Sequence, residues 1–149
     1  MIQYIFLILI GLILDRFTKL YAINNFIENP IHSKILNFIY LENRGAAFGI
    51  LQEKRVFFVI LTIAVVAGII FYFIKNYKNN PKILNIALSL IVSGALGNFY
   101  DRIFQGYVVD FIEFSFINFP VFNIADILIT SGSILMIVYI MFFEEEKEG

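Results

Sequence analysis

The chain has 149 residues, of which 60% are hydrophobic and 15% are charged, and its formal net charge is −1. Soluble domains are nearer half apolar and a quarter charged, so this composition predicts a membrane protein. The near-zero charge provides no basic surface for a nucleic acid partner. The chain has no Cys and a single His, which excludes thiolate chemistry and a His-rich metal site, and we expect no metal and no cofactor.

Three apolar runs are long enough to cross a bilayer as helices. They are residues 56–74, 83–100 and 127–143, the last starting a turn earlier through Asp126. At the helical rise the first run reaches roughly 28 Å, against a hydrocarbon core of about 30 Å. A fourth span begins at Met1 and continues past three charged residues to about Ala22, without the features of a cleaved signal peptide. We therefore expect one domain, residues 1–149, with four spans.

An even number of spans places the two long loops, residues 23–55 and 101–123, on the same side of the membrane. The positive-inside rule is nearly balanced, because the three Lys of the short loop 75–82 face four basic residues in the first long loop. We place the termini and the short loop in the cytoplasm. The unusual polar residues then all point to the outer leaflet. They are Asp15, Lys19, Asn43, Arg44, Asn98, Asp101, Arg102, Asp110, Asn123 and Asp126.

The first long loop predicts a small β structure lying on the membrane. Residues 36–41 are β-prone, and after a Glu-Asn-Arg-Gly turn signal residues 46–51 form a second apolar stretch, so we expect a small hairpin or a curved sheet. Within it, residues 46–49 are small or apolar and could cover a lipid-facing site. The predicted fold class is an all-α polytopic membrane protein: four transmembrane helices with a small extracytoplasmic β-rich loop and a short interfacial helix.

Two carboxylates are candidates for chemistry. Asp110 lies between Val109 and Phe111, so it is either held in an apolar pocket, where its pKa can rise, or exposed on a short interfacial helix. Asp126 follows Asn123 by three residues, which is typical of a capping box, and this pattern alone favours capping over catalysis. If the two carboxyls approach each other, they share one proton and can activate a water for amide hydrolysis. No Ser has a His or Lys at a spacing that suggests a nucleophile.

The charged residues at the ends of the first and third spans predict a structural network. Asp15 and Lys19 are an i,i+4 pair, and Asn98 and Arg102 share a helix face beside Asp101. We hypothesise that Arg102 pairs with Asp15 and ties the two spans together.

Small residues on the spans predict where helices approach closely. Ser89, Ser93 and Gly97 recur every four residues, and Ala64 and Gly68 form a similar patch on the second span.

Five segments, in order along nearly the whole chain, resemble lipoprotein signal peptidase, the bacterial signal peptidase II family. They are residues 15–19 (DRFTK), 42–49 (ENRGAAFG), 94–102 (GALGNFYDR), 109–111 (VDF) and 122–126 (FNIAD). The resemblance implies an aspartic endopeptidase of the bacterial cytoplasmic membrane. Its substrate would be a diacylglyceryl-modified prolipoprotein, cut just before the lipidated cysteine.

The resemblance also implies roles for particular residues. Asp110 and Asp126 fall on the family's catalytic pair. Substrate-binding or supporting positions are Asn43, Arg44, Gly45, Asn98, Arg102 and Asn123, and the structural polar network is Asp15, Lys19 and Asp101. Cytoplasmic termini, a site near the outer leaflet, contact with membrane lipids and sensitivity to globomycin-type inhibitors are implied as well.

Two other classes of function remain open on the residues alone. A small proton-coupled transporter or channel subunit could use the acids as a relay, although a relay is expected to spread its acids through the depth of the bilayer. A lipid-binding scaffold without catalysis would need Asp126 only as a helix cap.

Overall fold

The computed structural model describes residues 1–45 and 54–143, with side chains as far as residue 142. The expected cover over the site at residues 46–49, and the second apolar stretch of the first loop, lie outside the described residues. In chain order the elements are α1 (Ile2–Asn25), β1 (Leu36–Asn43), α2 (Arg55–Asn76), α3 (Lys82–Phe104), β2 (Val108–Phe114) and α4 (Ile124–Phe143). Each predicted span is therefore a helix, extended by a few residues at its ends.

Three helices are long and apolar enough to cross a membrane: Arg55–Asn76, Lys82–Phe104 and Ile124–Phe142. The apolar side chains of Arg55–Asn76 are mostly exposed, as is normal for a surface that faces lipid rather than water, whereas Lys82–Phe104 is mostly buried by its neighbours. The protein is thus a multi-pass membrane protein with a mostly helical fold. The first helix, α1, is equally long, but Asp15, Arg16 and Lys19 lower its apolar character.

Helix α3 is the central element, because it packs against α1, α2 and α4, whereas α2 packs mainly against α3. Small residues on α3 allow its neighbours to pack closely against it. A side chain at Gly94 would collide with the carbonyl oxygen of Ala125 in α4, and a Cβ at Gly97 would lie 2.5 Å from a carboxylate oxygen of Asp15 in α1. The Ser93 hydroxyl donates to the Ile8 carbonyl at 3.0 Å. The predicted stripe of small residues on the third span is therefore a packing surface for two helices.

The patch predicted on the second span does not have this role. A Cβ added at Gly68 would meet nothing within 4 Å, and Val66 is the residue of α2 that is buried. Spacing alone suggested two packing surfaces, but a small residue brings helices together only where a neighbouring backbone lies above it.

The two strands pair with each other across the chain. β1 and β2 are antiparallel, with Leu41 opposite Asp110 and Asn43 opposite Val108. A β-bulge between Phe38 and Leu41 places two residues of β1 opposite one residue of β2 and shifts the register there. The strand predicted at residues 36–41 is confirmed. Its partner among the described residues is strand β2, which lies in the second long loop, and residues 46–51 lie outside the described residues.

The expected short interfacial helix is wrong for the described residues. The segment around Asp110 is strand β2, and residue 122 extends the same sheet through backbone hydrogen bonds between Phe122 and Ile112 of 2.9 Å in both directions. The physical reason is the run of β-branched and aromatic side chains, Val108 to Phe114, which fits a sheet buried on both faces.

We expect Gly94→Ala to destabilise the protein by about 1–3 kcal/mol, because the new methyl group forces α3 away from the α4 backbone. The thermal unfolding midpoint in detergent measures this. Gly68→Ala is the matched control: it has open space and improves helix propensity, so its midpoint should be unchanged or slightly higher. An equal decrease of the unfolding midpoint in both variants would show that the close helix contact at Gly94 is not needed for stability.

Candidate active site

A cavity of about 460 Å³ lies where the ends of α3 and α4 meet the sheet. Its polar lining is Asn43, Gly45, Asn98, Arg102, Asp110, Asp126, Thr130 and Ser131, and its apolar wall is Val108, Phe114, Phe119, Pro120, Val121, Phe122 and Ile127. Both candidate acids, far apart in the chain, therefore face one space that has an apolar side and a polar side.

Strand alternation turns Asp110 toward this cavity. Its neighbours Val109 and Phe111 belong to an apolar cluster with Ala22 and Phe26 of α1. Because successive side chains of a strand point to opposite faces, the carboxyl between them faces the other way, where Val108 also lines the cavity. Packing of Val109 and Phe111 against α1 thus decides the direction of the acid between them.

The Asp110 carboxyl is buried and accepts two amide hydrogen bonds. Asn43 donates to Oδ2 at 2.8 Å, and Asn123 donates to Oδ1 at 2.6 Å. Burial raises the pKa of Asp110 to about 7, and the nearby negative charge of Asp126 acts in the same direction, against the two amide donors. The alternative of an exposed surface acid is thereby excluded, since only 1% of the residue is accessible.

Asp126 lies in the first turn of α4 and forms a reciprocal cap with Asn123. The Asp126 backbone N–H donates to the Asn123 side-chain oxygen at 3.0 Å, and the Asn123 backbone N–H donates to Oδ2 of Asp126 at 3.1 Å. The predicted capping box is confirmed. It uses only one carboxylate oxygen, and the other oxygen accepts from Asn98 at 2.8 Å.

Asn123 links the two acids, because its backbone N–H binds Asp126 while its side-chain amide binds Asp110. It is fully buried. Its side-chain oxygen is committed to the first turn of α4, so its amide nitrogen must point at Asp110. Capping the helix and orienting the acids are therefore one arrangement.

Asn98 and Asn43 are fixed in the same way. The side-chain oxygen of Asn98 accepts from the Lys19 ammonium at 2.9 Å, which leaves its amide nitrogen for Asp126. The side-chain oxygen of Asn43 accepts from the backbone N–H of Gly45 at 3.0 Å, which leaves its amide nitrogen for Asp110. Together with Asn123, these side chains surround the two carboxylates with amide donors.

The predicted contacts among Asp15, Lys19 and Asp101 form, but the expected pair of Asp15 with Arg102 does not. Lys19 is completely buried and pairs with Asp15 at 2.9 Å and with Asp101 at 2.8 Å. Asp15 also accepts from the backbone N–H of Ala125 at 3.0 Å, which satisfies a second free donor at the start of α4. The hypothesis that Arg102 pairs with Asp15 is wrong: the adjacent ammonium of Lys19 is one helical turn away on the same face and takes the carboxylate.

Arg102 points at the cavity instead. Its guanidinium donates to the carbonyl oxygens of Gly45 at 3.3 Å and Asn98 at 3.4 Å, and it lies over the Phe58 ring at 4.8 Å. It thereby joins the segment after β1 to α2 and α3 around the site. A rigid cation beside two carboxylates limits how strongly they repel each other.

Arg44 lies apart from the cavity lining. Its guanidinium donates to Glu42 at 2.9 Å and stands over the ring of Tyr107 at 5.5 Å. Its neighbours Asn43 and Gly45 do line the cavity. Of the three neighbouring residues predicted here, Asn43 and Gly45 thus belong to the site, whereas Arg44 contacts Glu42 and Tyr107.

Several lining residues were not predicted. Thr130 is one turn after Asp126 on the same face of α4, and this i,i+4 spacing was a usable signal. The Phe side chains of the apolar wall and the contact of Arg16 with Asp101 at 3.5 Å had no local signal, because they depend on how loop 115–123 and α1 pack.

The arrangement suits acid–base chemistry on a water molecule. Among the described residues no group of three or more His, Cys, Asp or Glu side chains could hold a metal ion. Each candidate carboxylate accepts from N–H groups through both oxygens, which is the surrounding of an anion rather than of a cation ligand. Two acids with amide donors and an apolar wall can therefore polarise an amide and activate a water.

Comparisons with known proteins identify the family of the chain. A sequence model described as Signal peptidase (SPase) II matches residues 7–142. A lipoprotein signal peptidase of Clostridium tetani is 48% identical over 143 residues, covering 92% of this chain and 91% of the relative. A lipoprotein signal peptidase of Streptococcus thermophilus is 43% identical over 142 residues, covering 93% and 90%.

Solved structures show the same fold. One bacterial membrane enzyme, determined by the in meso method at 2.3 Å resolution, has a TM-score of 0.84 and 38% identity, covering 93% of this chain and 87% of that one. A second, at 1.9 Å resolution, has a TM-score of 0.83 and 37% identity, covering 95% and 94%. Matched over nearly its whole length in sequence and in structure, this chain belongs to the signal peptidase II family.

Proposed function

We propose that the protein is an aspartic endopeptidase that removes signal peptides from prolipoproteins within the membrane. The observation that carries this proposal is that Asp110 and Asp126 face one cavity, and that Asn123 donates hydrogen bonds to both. Membership of the signal peptidase II family supports the substrate class. We assign one domain to residues 1–149.

Asp126 is the base of the proposed reaction and Asp110 is the acid. Asp126 stands at the N-terminus of α4 and accepts a backbone N–H, both of which favour its ionised form. Asp110 is held on a strand, and its raised pKa of about 7 keeps it mostly protonated below neutral pH and about half protonated at pH 7. The pair then shares a single proton, as two neighbouring buried carboxyls do.

Hydrolysis follows from this division of roles. Asp126 takes a proton from water, the water oxygen bonds to the scissile carbonyl carbon, and Asp110 gives its proton to the carbonyl oxygen. In the second step Asp126 protonates the leaving amine, Asp110 regains a proton from a hydroxyl of the tetrahedral intermediate, and the C–N bond breaks. The pair ends with one proton, as it began.

The cavity wall supports a lipid-modified substrate. Phe114, Phe119 and Phe122 form an apolar side next to the acids. A diacylglyceryl group on the cysteine after the cleaved bond would place its chains toward such a surface and the surrounding lipid. We propose that cleavage occurs just before that cysteine, and that globomycin-type inhibitors occupy the same cavity.

We further propose four spans in the bacterial cytoplasmic membrane, with cytoplasmic termini and the site near the outer leaflet. Helix α1 has 24 residues, or roughly 36 Å at the helical rise, which is enough to cross. Its charged Asp15 and Lys19 are buried inside the protein, so they do not face lipid.

The transporter alternative is not supported. The acids of the described residues gather at one end of the helices, around the cavity and Lys19, and no series of acids continues along α3 or α4. The scaffold alternative would use Asp126 as a cap only, whereas its second oxygen accepts from Asn98.

We expect Asp110→Asn and Asp126→Asn each to reduce cleavage at least about hundredfold, because each removes a proton donor or acceptor from the reaction. The assay is gel separation of a diacylglyceryl-modified prolipoprotein before and after incubation with purified protein. Glu113→Gln is the matched control on β2, since Glu113 contacts Asn37 and not the cavity. Activity should also persist in EDTA. Normal cleavage by either Asn variant would remove the pair from the mechanism.

The pH dependence of kcat/KM should fall on the alkaline side near pH 7. Asp110 has a raised pKa of about 7, so it is protonated below that value and loses its proton as the pH rises through it. Above this pH both carboxylates are charged and the carbonyl oxygen receives no proton. The measurement should reach pH 9, roughly two units above the expected midpoint. A value of kcat/KM that stays constant from pH 6 to this upper limit would contradict the role of Asp110 as acid.

Single cysteines test the proposed topology, because the chain has no Cys of its own. Ser33→Cys should react with a membrane-impermeant maleimide in intact cells. Gln3→Cys and Asn79→Cys, exposed at the other ends of α1 and α2, should react only after permeabilisation. Labelling of Gln3→Cys together with Ser33→Cys in intact cells would mean that α1 does not cross.

A further inference from the structure

We propose that Lys19 is a positioning residue for the acids: through the side-chain oxygen of Asn98 it holds the Asn98 amide nitrogen toward Asp126. This inference rests on the proposed function. Lys19 is completely buried and its ammonium meets three acceptors, from Asp15 at 2.9 Å, Asp101 at 2.8 Å and Asn98 at 2.9 Å. Two of these contacts are ion pairs within a structural network, and the third leads to the site.

The two ends of the Asn98 side-chain amide bind different kinds of partner. The oxygen of Asn98 can only accept and its nitrogen can only donate. The Lys19 ammonium can only donate, so it requires the oxygen on its side. The amide nitrogen then lies on the opposite side, where it donates to Oδ1 of Asp126 at 2.8 Å. A rotated amide would set N–H groups against the ammonium and an oxygen against the carboxylate, losing both hydrogen bonds.

Among the described residues, no other contact to the Asn98 side-chain oxygen is as strong. The amide nitrogen of Asn123 is 3.2 Å from the Asn98 oxygen, but it is much closer to Asp110, at 2.6 Å, and its second hydrogen is shared with the Val109 carbonyl at 3.3 Å. The Lys19 contact is shorter than the Asn123 contact and charge-assisted. Lys19 is therefore the group that selects one of the two amide orientations.

Because the charges around Lys19 are paired, its effect on the orientation of Asn98 can be separated from a long-range electrostatic effect on the acids. The cations Lys19 and Arg16 are matched by Asp15 and Asp101, with Arg16 at 3.5 Å from Asp101. Among the described residues, Arg102 is the basic side chain that lines the cavity together with the acids. Since the network around Lys19 is close to neutral, its main effect on Asp126 passes through the direction of the Asn98 dipole.

A purely structural role for Lys19 gives a different expectation. Lys19 joins α1 to α3, and loss of one partner of a buried ion pair strongly destabilises a folded protein. A brace of that kind changes how much protein folds. It does not change the pH at which the folded protein works, nor the balance between kcat and KM.

The test removes the ammonium without leaving an unpaired charge. Lys19→Met combined with Asp15→Asn keeps the net charge, and the Asn oxygen can still accept from the Ala125 backbone N–H. In the folded, purified variant we expect kcat to fall at least about tenfold with KM nearly unchanged. The pH profile should move upward by roughly one unit, because the ionised acid has lost a hydrogen-bond donor.

Two further variants complete the comparison. Arg16→Met removes a cation that also contacts Asp101 but does not touch Asn98, so it should keep the wild-type kcat and pH profile. Lys19→Gln with Asp15→Asn replaces the ammonium by a neutral N–H donor and should recover part of the kcat. A wild-type profile in the Met double variant overturns the proposal. So does failure of both double variants to fold, which would mark Lys19 as a brace alone.

A readout without substrate separates this proposal from the proposed function. The infrared carbonyl band of protonated carboxylic acids reports the pH at which the pair loses its shared proton. We expect this pH to rise in the Met double variant and to stay unchanged in Arg16→Met. If the wild-type protein cleaves no prolipoprotein, the proposed function fails, and the infrared titration still decides whether Lys19 acts on the acids.

Discussion

The buried ammonium of Lys19 is the contact around which the site is assembled. A charge removed from water is costly unless all of its hydrogen-bonding capacity is used, and three acceptors around Lys19 use it completely. Those acceptors come from two helices, and Asp15 continues to the backbone of α4. Satisfying one cation thus fixes the relative positions of α1, α3 and the first turn of α4. Among the described residues, every buried side-chain nitrogen and oxygen has a hydrogen-bond partner.

Three Asn side chains link the fixed backbone and the Lys19 network to the two acids and orient them. Each of the three Asn side chains around the cavity has its oxygen occupied by a fixed donor: an ammonium, a helix N–H or a turn N–H. Its nitrogen is then directed at a carboxylate. Asn is suited to this task because one short, rigid group combines an acceptor and a donor, whereas an Asp there would repel the acids. The site is preorganised by groups that do not themselves exchange protons.

Close helix packing makes these short contacts possible. Where Gly94 and Gly97 face Ala125 and Asp15, any side chain would separate α3 from its neighbours. The Asn98 amide, which lies on the next residue after Gly97, reaches Asp126 only because the helices are near each other. On the other flank, Phe111 and Val109 pack on α1 and leave Asp110 facing the cavity. Lipid-facing helix α2 contributes less packing, which fits its single buried residue.

The sequence by itself determined the membrane class and the four long helices, because hydrophobic length is a local property, and it predicted the capping box of Asn123 and Asp126 from their spacing. It also determined the family, since its motifs are ordered along the chain. Only the tertiary structure decided that Asp110 lies on a strand paired with β1, that Asp15 pairs with Lys19 rather than Arg102, and that Gly68 packs against nothing. Strand pairing, ion-pair choice and helix contact each depend on residues distant in the chain, and no local pattern specifies which of several suitable partners is nearest in space.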